Sequence, residues 1–246
     1  MKIYVFNASR LWRRFSGLVQ GIALLLIVLT VFNVVNSAIS EASAPPSEGE
    51  SGRVIIIDAG HGGEDSGATG VDGVKEKDLN LSVANELGSV LSERGYTVVY
   101  TRTEDKMLYT EEQNIKGLRK INDLKNRCAV AEKYEDPIFI SIHMNFFGAE
   151  KYSGLQVYYS DGAEESRKLA SSIQAKVRET VQNDNDRVVK NGKGLYLLDN
   201  CSATTVIVEC GFLSNAEECR RLSEKEYQKE LSFAIFCGII EYMEGQ

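Results

Sequence analysis

The sequence predicts an α/β fold: a three-layer sandwich with a mostly parallel central sheet, about six strands wide, flanked by helices. Three observations predict it. Short β-branched apolar runs alternate with segments of helical length from residue 53 to residue 246, the order that builds a parallel sheet covered by helices. The first run, Arg53 to Asp58, is unbroken Val-Ile-Ile-Ile between its polar ends, which suits a strand buried on both faces. With 43% hydrophobic and 26% charged residues in 246, the chain has material for one good-sized core and little room for two catalytic domains.

The elements follow in order. After the strand at 53–58 comes a glycine-rich loop, residues 59–73. Asp78 reads as the N-cap of the first helix, in which Leu79, Val83, Leu87, Val90 and Leu91 share one face and Gly95 is the stop. Residues 97–101 form a second strand, and a polar stretch leads to a helix at 119–134, ended by Asp136-Pro137. Strands at 138–143 and 154–159 precede an amphipathic helix at 164–181. Residues 195–198 and 204–209 read as two further strands, and helices near 215–222 and 224–243 close the chain.

Ahead of this domain the chain has another character. Lys2, Arg10, Arg13 and Arg14 precede a run, residues 18–35, that is apolar except for Gln20, Gly21, Thr30 and Asn33. Its length is near the roughly 18 to 20 residues that span a bilayer. The pattern, residues 1–36, is that of a secretory signal or an N-terminal anchor with its basic end in the cytoplasm, so the protein is expected outside the cytoplasmic membrane. Residues 37–52, rich in Ser, Ala, Glu and Pro, read as a flexible tether, and 53–246 as one catalytic domain.

Charge excludes one class of partner. Setting those four bases aside leaves 24 lysines and arginines against 35 acids. Nucleic acid is no partner for such a chain, because phosphate binding needs clustered cations. The five cysteines, 128, 201, 210, 219 and 237, are odd in number and contain no C-x-x-C pair. They read as free, mostly buried thiols, not as a disulfide framework or a cysteine metal site.

The chemistry rests on the only two histidines, His61 and His143, each at or just past the end of a predicted buried strand. That edge is where open α/β sheets build their sites. One histidine there is as often structural as a ligand; two, with no others in the chain, make a good start on a metal site. A third ligand should be a carboxylate. Of Asp58, Glu64, Asp65, Asp72, Glu76 and Asp78, Glu76 is the choice, since it ends the glycine-rich loop before a helix and can be folded back beside His61. Asp58 is placed to orient an imidazole from behind. Glu209 ends the apolar run Val206-Ile-Val208, where an unpaired glutamate is unusual unless it works. The expected set is therefore His61, Glu76 and His143 on zinc, a position left open for water, and Glu209 as the base. No Gly-Lys-Ser/Thr or G-x-G-x-x-G makes the loop a phosphate cradle, and no G-x-S-x-G signals a serine nucleophile.

These residues resemble the zinc-dependent N-acetylmuramoyl-L-alanine amidases. The matching segments are IDAGHGG at 57–63, DSGA at 65–68, EKDLNL at 76–81, Thr101-Arg102, ISIH at 140–143 with Asn145, and VECGFLSN at 208–215. They occur in the family's order. The resemblance implies zinc held by His61, Glu76 and His143, with Glu209 catalytic, and peptidoglycan as substrate. Ala59 and Thr205 stand where the family often has proline, and residues 106–118 fit its pattern poorly. A basic apolar leader, a short tether and no wall-binding repeats look like the spore-cortex branch, where removing the stem peptide permits muramic δ-lactam formation. An acidic domain needs the membrane segment or an accessory protein to place it at the wall. Arg187, Lys190 and Lys193 read as a solvated loop, with contact to anionic stem peptides as the alternative. Two other functions stay open: a zinc hydrolase acting on another amide or peptide, and a non-catalytic wall-binding protein.

Overall fold

The computed structural model describes residues 52–245. The expected leader, and the expected tether apart from Gly52, lie outside them. Among the described residues no helix is long and apolar enough to cross a membrane.

Six strands form one sheet: β1 (Ile55–Ala59), β2 (Val98–Tyr100), β3 (Ile138–Asn145), β4 (Gln156–Tyr159), β5 (Lys190–Asn191) and β6 (Thr204–Phe212), in the order β2-β1-β3-β6-β4-β5. All neighbours run parallel except β4 and β6. Helices α1 (Glu76–Glu93), α3 (Glu164–Thr180) and α6 (Lys225–Glu244) cover one face; α2 (Arg119–Ala131) and α4 (Tyr196–Asn200) pack on the other. A short helix, α5 (Ala216–Ser223), follows β6. This is the expected sandwich.

Side-chain alternation sorts the strands. Ile55, Ile57, Ile138, Ile140, Ile142, Val206 and Val208 point to the face under α1, α3 and α6 and join Leu87, Ile173 and Ile235 in one apolar core. Ile56 and Phe139 point the other way, onto Cys128, Ala131 and Leu197. Both faces of the central strands are therefore dry at mid-sheet, which is why β1 reads as an unbroken apolar run.

Four expectations change. Helix α1 begins at Glu76, with Lys75 in the cap position; Asp78 lies inside its first turn, where its charge suits the positive end of the helix. The Glu76 carboxylate accepts from the N–H of Ala68, tying the helix start to the preceding loop. Gly95, at φ +86°, is the stop as expected. Residues 195–198 are not a strand: Tyr196–Asn200 make a helical turn, with Leu197 and Leu198 buried. Asp199 closes that turn by accepting from the N–H of Gly194. A short apolar run buries equally well either way, so its pattern could not decide. The sixth strand is instead the two-residue β5, too short and polar to be legible. Finally, Cys128 and Cys201 form a disulfide, so the cysteines are not all free. A separation of 73 residues conceals a pair that α2 and the end of α4 bring together under the sheet. Such a bond suits an oxidising compartment.

Candidate active site

The C-terminal ends of β1, β3 and β6 build the site. Glu76, His61 and His143 converge there. Glu76 Oε1 lies 3.1 Å from His61 Nε2 and 2.9 Å from His143 Nδ1, and one ligand atom from each of the three falls within 4.8 Å of the others. The backbone is shaped to allow it. His143 packs its ring directly on Gly60, where a Cβ would stand 2.2 Å from Nε2. Gly67, at φ +64°, leaves room for the Glu76 carboxylate, which a Cβ would meet at 2.4 Å. His61 itself takes a left-handed φ of +62°, a strained setting that a non-glycine residue keeps only when its surroundings hold it.

They do. Arg127 donates to the carbonyls of Ala59 (2.8 Å) and His61 (2.6 Å), and Arg102 to those of Ala59 (2.8 Å) and Gly60 (2.9 Å). Both guanidinium groups are buried. Arg127 is held in turn by Asp123 (2.7 Å) and by Asp58 (2.6 Å), and Asp58 also accepts from Thr101 and Ser141, each at 2.6 Å. Burial disfavours the Asp58 carboxylate, yet Arg127 and the two hydroxyls hold it below the usual aspartate range. Asp58 thus anchors the loop through Arg127; it does not orient an imidazole. The carboxylate beside His61 Nδ1 is Asp65, at 2.9 Å.

Charge follows from these contacts. Burial works against ionising Glu76, but His143 and His61 more than offset it and keep the group well below the usual carboxylate range. Burial works against the His61 imidazolium too; Asp65 and Glu76 overcome it and raise the ring to about 9. Glu209 behaves oppositely. Its cross-strand neighbour on β6 and β3 is His143, so both side chains stand on the same face at the sheet's end. Its Oε2 is buried without a hydrogen-bond partner, and burial pushes its carboxyl up to about 7. Two imidazoles and a carboxylate converging on one point are donors of the kind zinc takes, so the residues present fit such an ion.

The residues named from sequence are therefore brought together, and two that hold them were missed. Arg102 was quoted only as part of a motif, and Arg127 not at all; the one trace of the latter was Asp123 four residues before it, an i,i+4 pair on a helix. The stretch at 106–118 also gains a place. Lys106 carbonyl closes on Gly62, and Leu108 N–H donates to Asp123 (2.7 Å), so this segment packs along the loop that carries His61. Of the remaining carboxylates considered near His61, Glu64 turns outward to Arg119.

Fold and site together define an α/β protein in which two histidines and a glutamate converge beside a second, half-buried glutamate at the strand ends. The chain belongs to the N-acetylmuramoyl-L-alanine amidase family, whose model it matches over residues 55–241. It is 36% identical over 192 residues to the germination-specific N-acetylmuramoyl-L-alanine amidase of Bacillus subtilis, across 78% of this chain and 80% of that protein. It is equally identical, over 201 residues, to the uncharacterized protein YqiI of the same organism, across 81% and 89%. The CwlD amidase of Clostridioides difficile, solved in complex with the GerS lipoprotein, superposes with a TM-score of 0.76 at 37% identity, covering 79% of this chain and 100% of that one. AmiC2 of Nostoc punctiforme superposes with a TM-score of 0.68 at 29% identity, covering 80% and 99%.

Proposed function

We propose that this protein is a zinc-dependent amidase that hydrolyses the bond between N-acetylmuramic acid and the L-alanine of the stem peptide, in the spore cortex. The observation that carries the reading is Glu209, a half-buried glutamate whose Oε2 is sealed from solvent without a hydrogen-bond partner, beside the His61–Glu76–His143 cluster. A purely structural metal site has no use for such a group, and leaving it unpaired is costly.

His61, Glu76 and His143 would hold the ion. Zinc bound there would polarise the scissile carbonyl and lower the pKa of water to about 7. The rest falls to the chain. Glu209, raised toward neutrality by burial, takes a proton from the attacking water and returns it to the departing L-alanine nitrogen. Arg102 and Arg127 keep the His61 loop fixed through the cycle by gripping its carbonyls. The cortex assignment rests on the likeness to the germination-specific and CwlD amidases. Stem-peptide removal there would supply the muramic acid for δ-lactam formation. The segment 1–36 would place the domain outside the cytoplasmic membrane, anchored or released, and an accessory lipoprotein, as on the CwlD amidase, would be its partner.

The test pairs metal analysis with product analysis. Wild type should bind one zinc per chain and release L-alanine amino termini, from cortex-type wall in preference to vegetative wall. Glu209→Gln should keep zinc and melting temperature and lose roughly 10²- to 10⁴-fold in rate. An active Glu209→Gln protein, or full zinc binding after His61→Ala or His143→Ala, would sink the reading.

A further inference from the structure

Near Glu209, three cations lie on aromatic rings. Arg187 stacks on Phe212 at 4.4 Å and reaches Tyr152 at 5.9 Å; Lys151 lies over Tyr152 at 5.3 Å and Lys190 over Tyr158 at 5.7 Å. None of the three makes an ion pair with a carboxylate among the described residues. In a chain of net charge -7, three cations near Glu209 without a carboxylate partner make a local patch of the opposite sign.

Arg187 is the one that is built in. Its N–H donates to the buried Asn185 Oδ1 (3.0 Å), and its carbonyl accepts from Arg178. Asn185 is itself clamped, donating to the Leu155 carbonyl at 2.8 Å. The side chain is equally fixed, with Nε on the Ser153 carbonyl at 2.6 Å and Nη1 3.4 Å from Gln156 Oε1. Gln156 is the cross-strand neighbour of Glu209, so the guanidinium stands one side chain away from the base. Glu218, whose charge it feels, has both oxygens engaged by the N–H groups of Gly154 and Phe212. A held, half-buried guanidinium whose Nη2 donates to no group among the described residues can offer that nitrogen, with the second N–H of Nη1, to a carboxylate.

We propose that Arg187 is a positioning residue that binds a free carboxylate of the stem peptide and so sets the scissile amide over the site. This rests on the amidase reading, since it takes the substrate from it. Lys151 and Lys190 add attraction at longer range without a fixed geometry.

The experiment compares two muramyl peptides that differ only in a free or amidated carboxyl on the residue after L-alanine, using the full chain loaded with zinc. Wild type should prefer the free carboxylate, and Arg187→Gln should reduce that preference in kcat/KM by roughly 10- to 100-fold, mostly through KM. Arg187→Lys, which keeps charge but not the fork, should retain part of it, and melting curves show that both variants fold. An unchanged preference in a folded Arg187→Gln protein, or no preference in wild type, overturns the proposal. Calorimetric binding of the free stem peptides, carboxylate against amide, reads the same preference without turnover. A chain that cleaves neither substrate would therefore sink the amidase reading alone, and the carboxylate site would stand or fall on the binding data.

Discussion

The two faces of the sheet are held together by different physics. Under α1, α3 and α6 the strands present isoleucine and valine to a continuous apolar core. On the face under α2, apolar packing stops halfway up: Ile56 and Phe139 are succeeded along their strands by Asp58 and Ser141, then by the site. There Asp58, Thr101, Ser141, Asp123 and Arg127 make a buried polar network in which the two carboxylates share the one guanidinium. The dry face gives cohesion. The wet face gives position, because directional bonds to three successive carbonyls hold His61 in a conformation that nonspecific packing would not enforce.

Removing one member of the wet network should produce the largest loss of stability. Arg127→Met leaves Asp58 and Asp123 buried without their counter-charge, and breaking such a pair typically costs about 3–5 kcal/mol. Urea unfolding measures it; a loss under 1 kcal/mol would mean the network is dispensable. The pH dependence sharpens the test. In wild type the Asp58 carboxyl is held below its ordinary value, so its contribution is complete above the unfolded pKa of about 3.9 and is lost as pH falls through the folded value. The gap between wild type and variant should thus be full at pH 7 and narrow below about pH 4. A gap that widens in acid would contradict the assignment of Asp58 as the ionised partner.

The same contrast explains what was legible in the sequence. Runs such as Val54 to Ile57 and Val206 to Val208 announce buried strands because both of their faces are dry at that height. The candidate site was legible because two histidines and the misplaced Glu209 are rare residues at strand ends, and because Glu76 closes the glycine-rich loop. The supports were not. Arg127 and Asp58 are 69 residues apart, and a charged residue in a helix reads as surface until the fold brings its partner beneath it. Cys128 and Cys201 were hidden for the same reason: only α4, itself mistaken for a strand, carries the second cysteine to the first.

That disulfide crosses the wet face next to Arg127, so it offers an intermediate test. Cys128→Ser with Cys201→Ser should cost about 2–4 kcal/mol, the usual effect of releasing a cross-link of this kind. Because the bond tethers the helix that grips the His61 loop, zinc affinity should fall along with stability. If reductant or the double variant lowers the melting temperature without loosening zinc, then Arg127 holds its position through its own bonds alone.

The smallest effect should come from the dry face. Ile57→Val removes one methylene from a position sealed by Ile140 and the overlying helices, a change worth about 0.5–1.5 kcal/mol. Zinc affinity and turnover should stay where they were, since no directional bond is touched. Ile57 is nonetheless the residue immediately before Asp58, so the comparison is a severe one: neighbours in sequence pointing to opposite faces should differ several-fold in what their loss does to the site. Should Ile57→Val weaken zinc binding as much as the Arg127 variant does, the division of labour between the two faces would have to be given up, and the loop's position would be a property of the whole sheet.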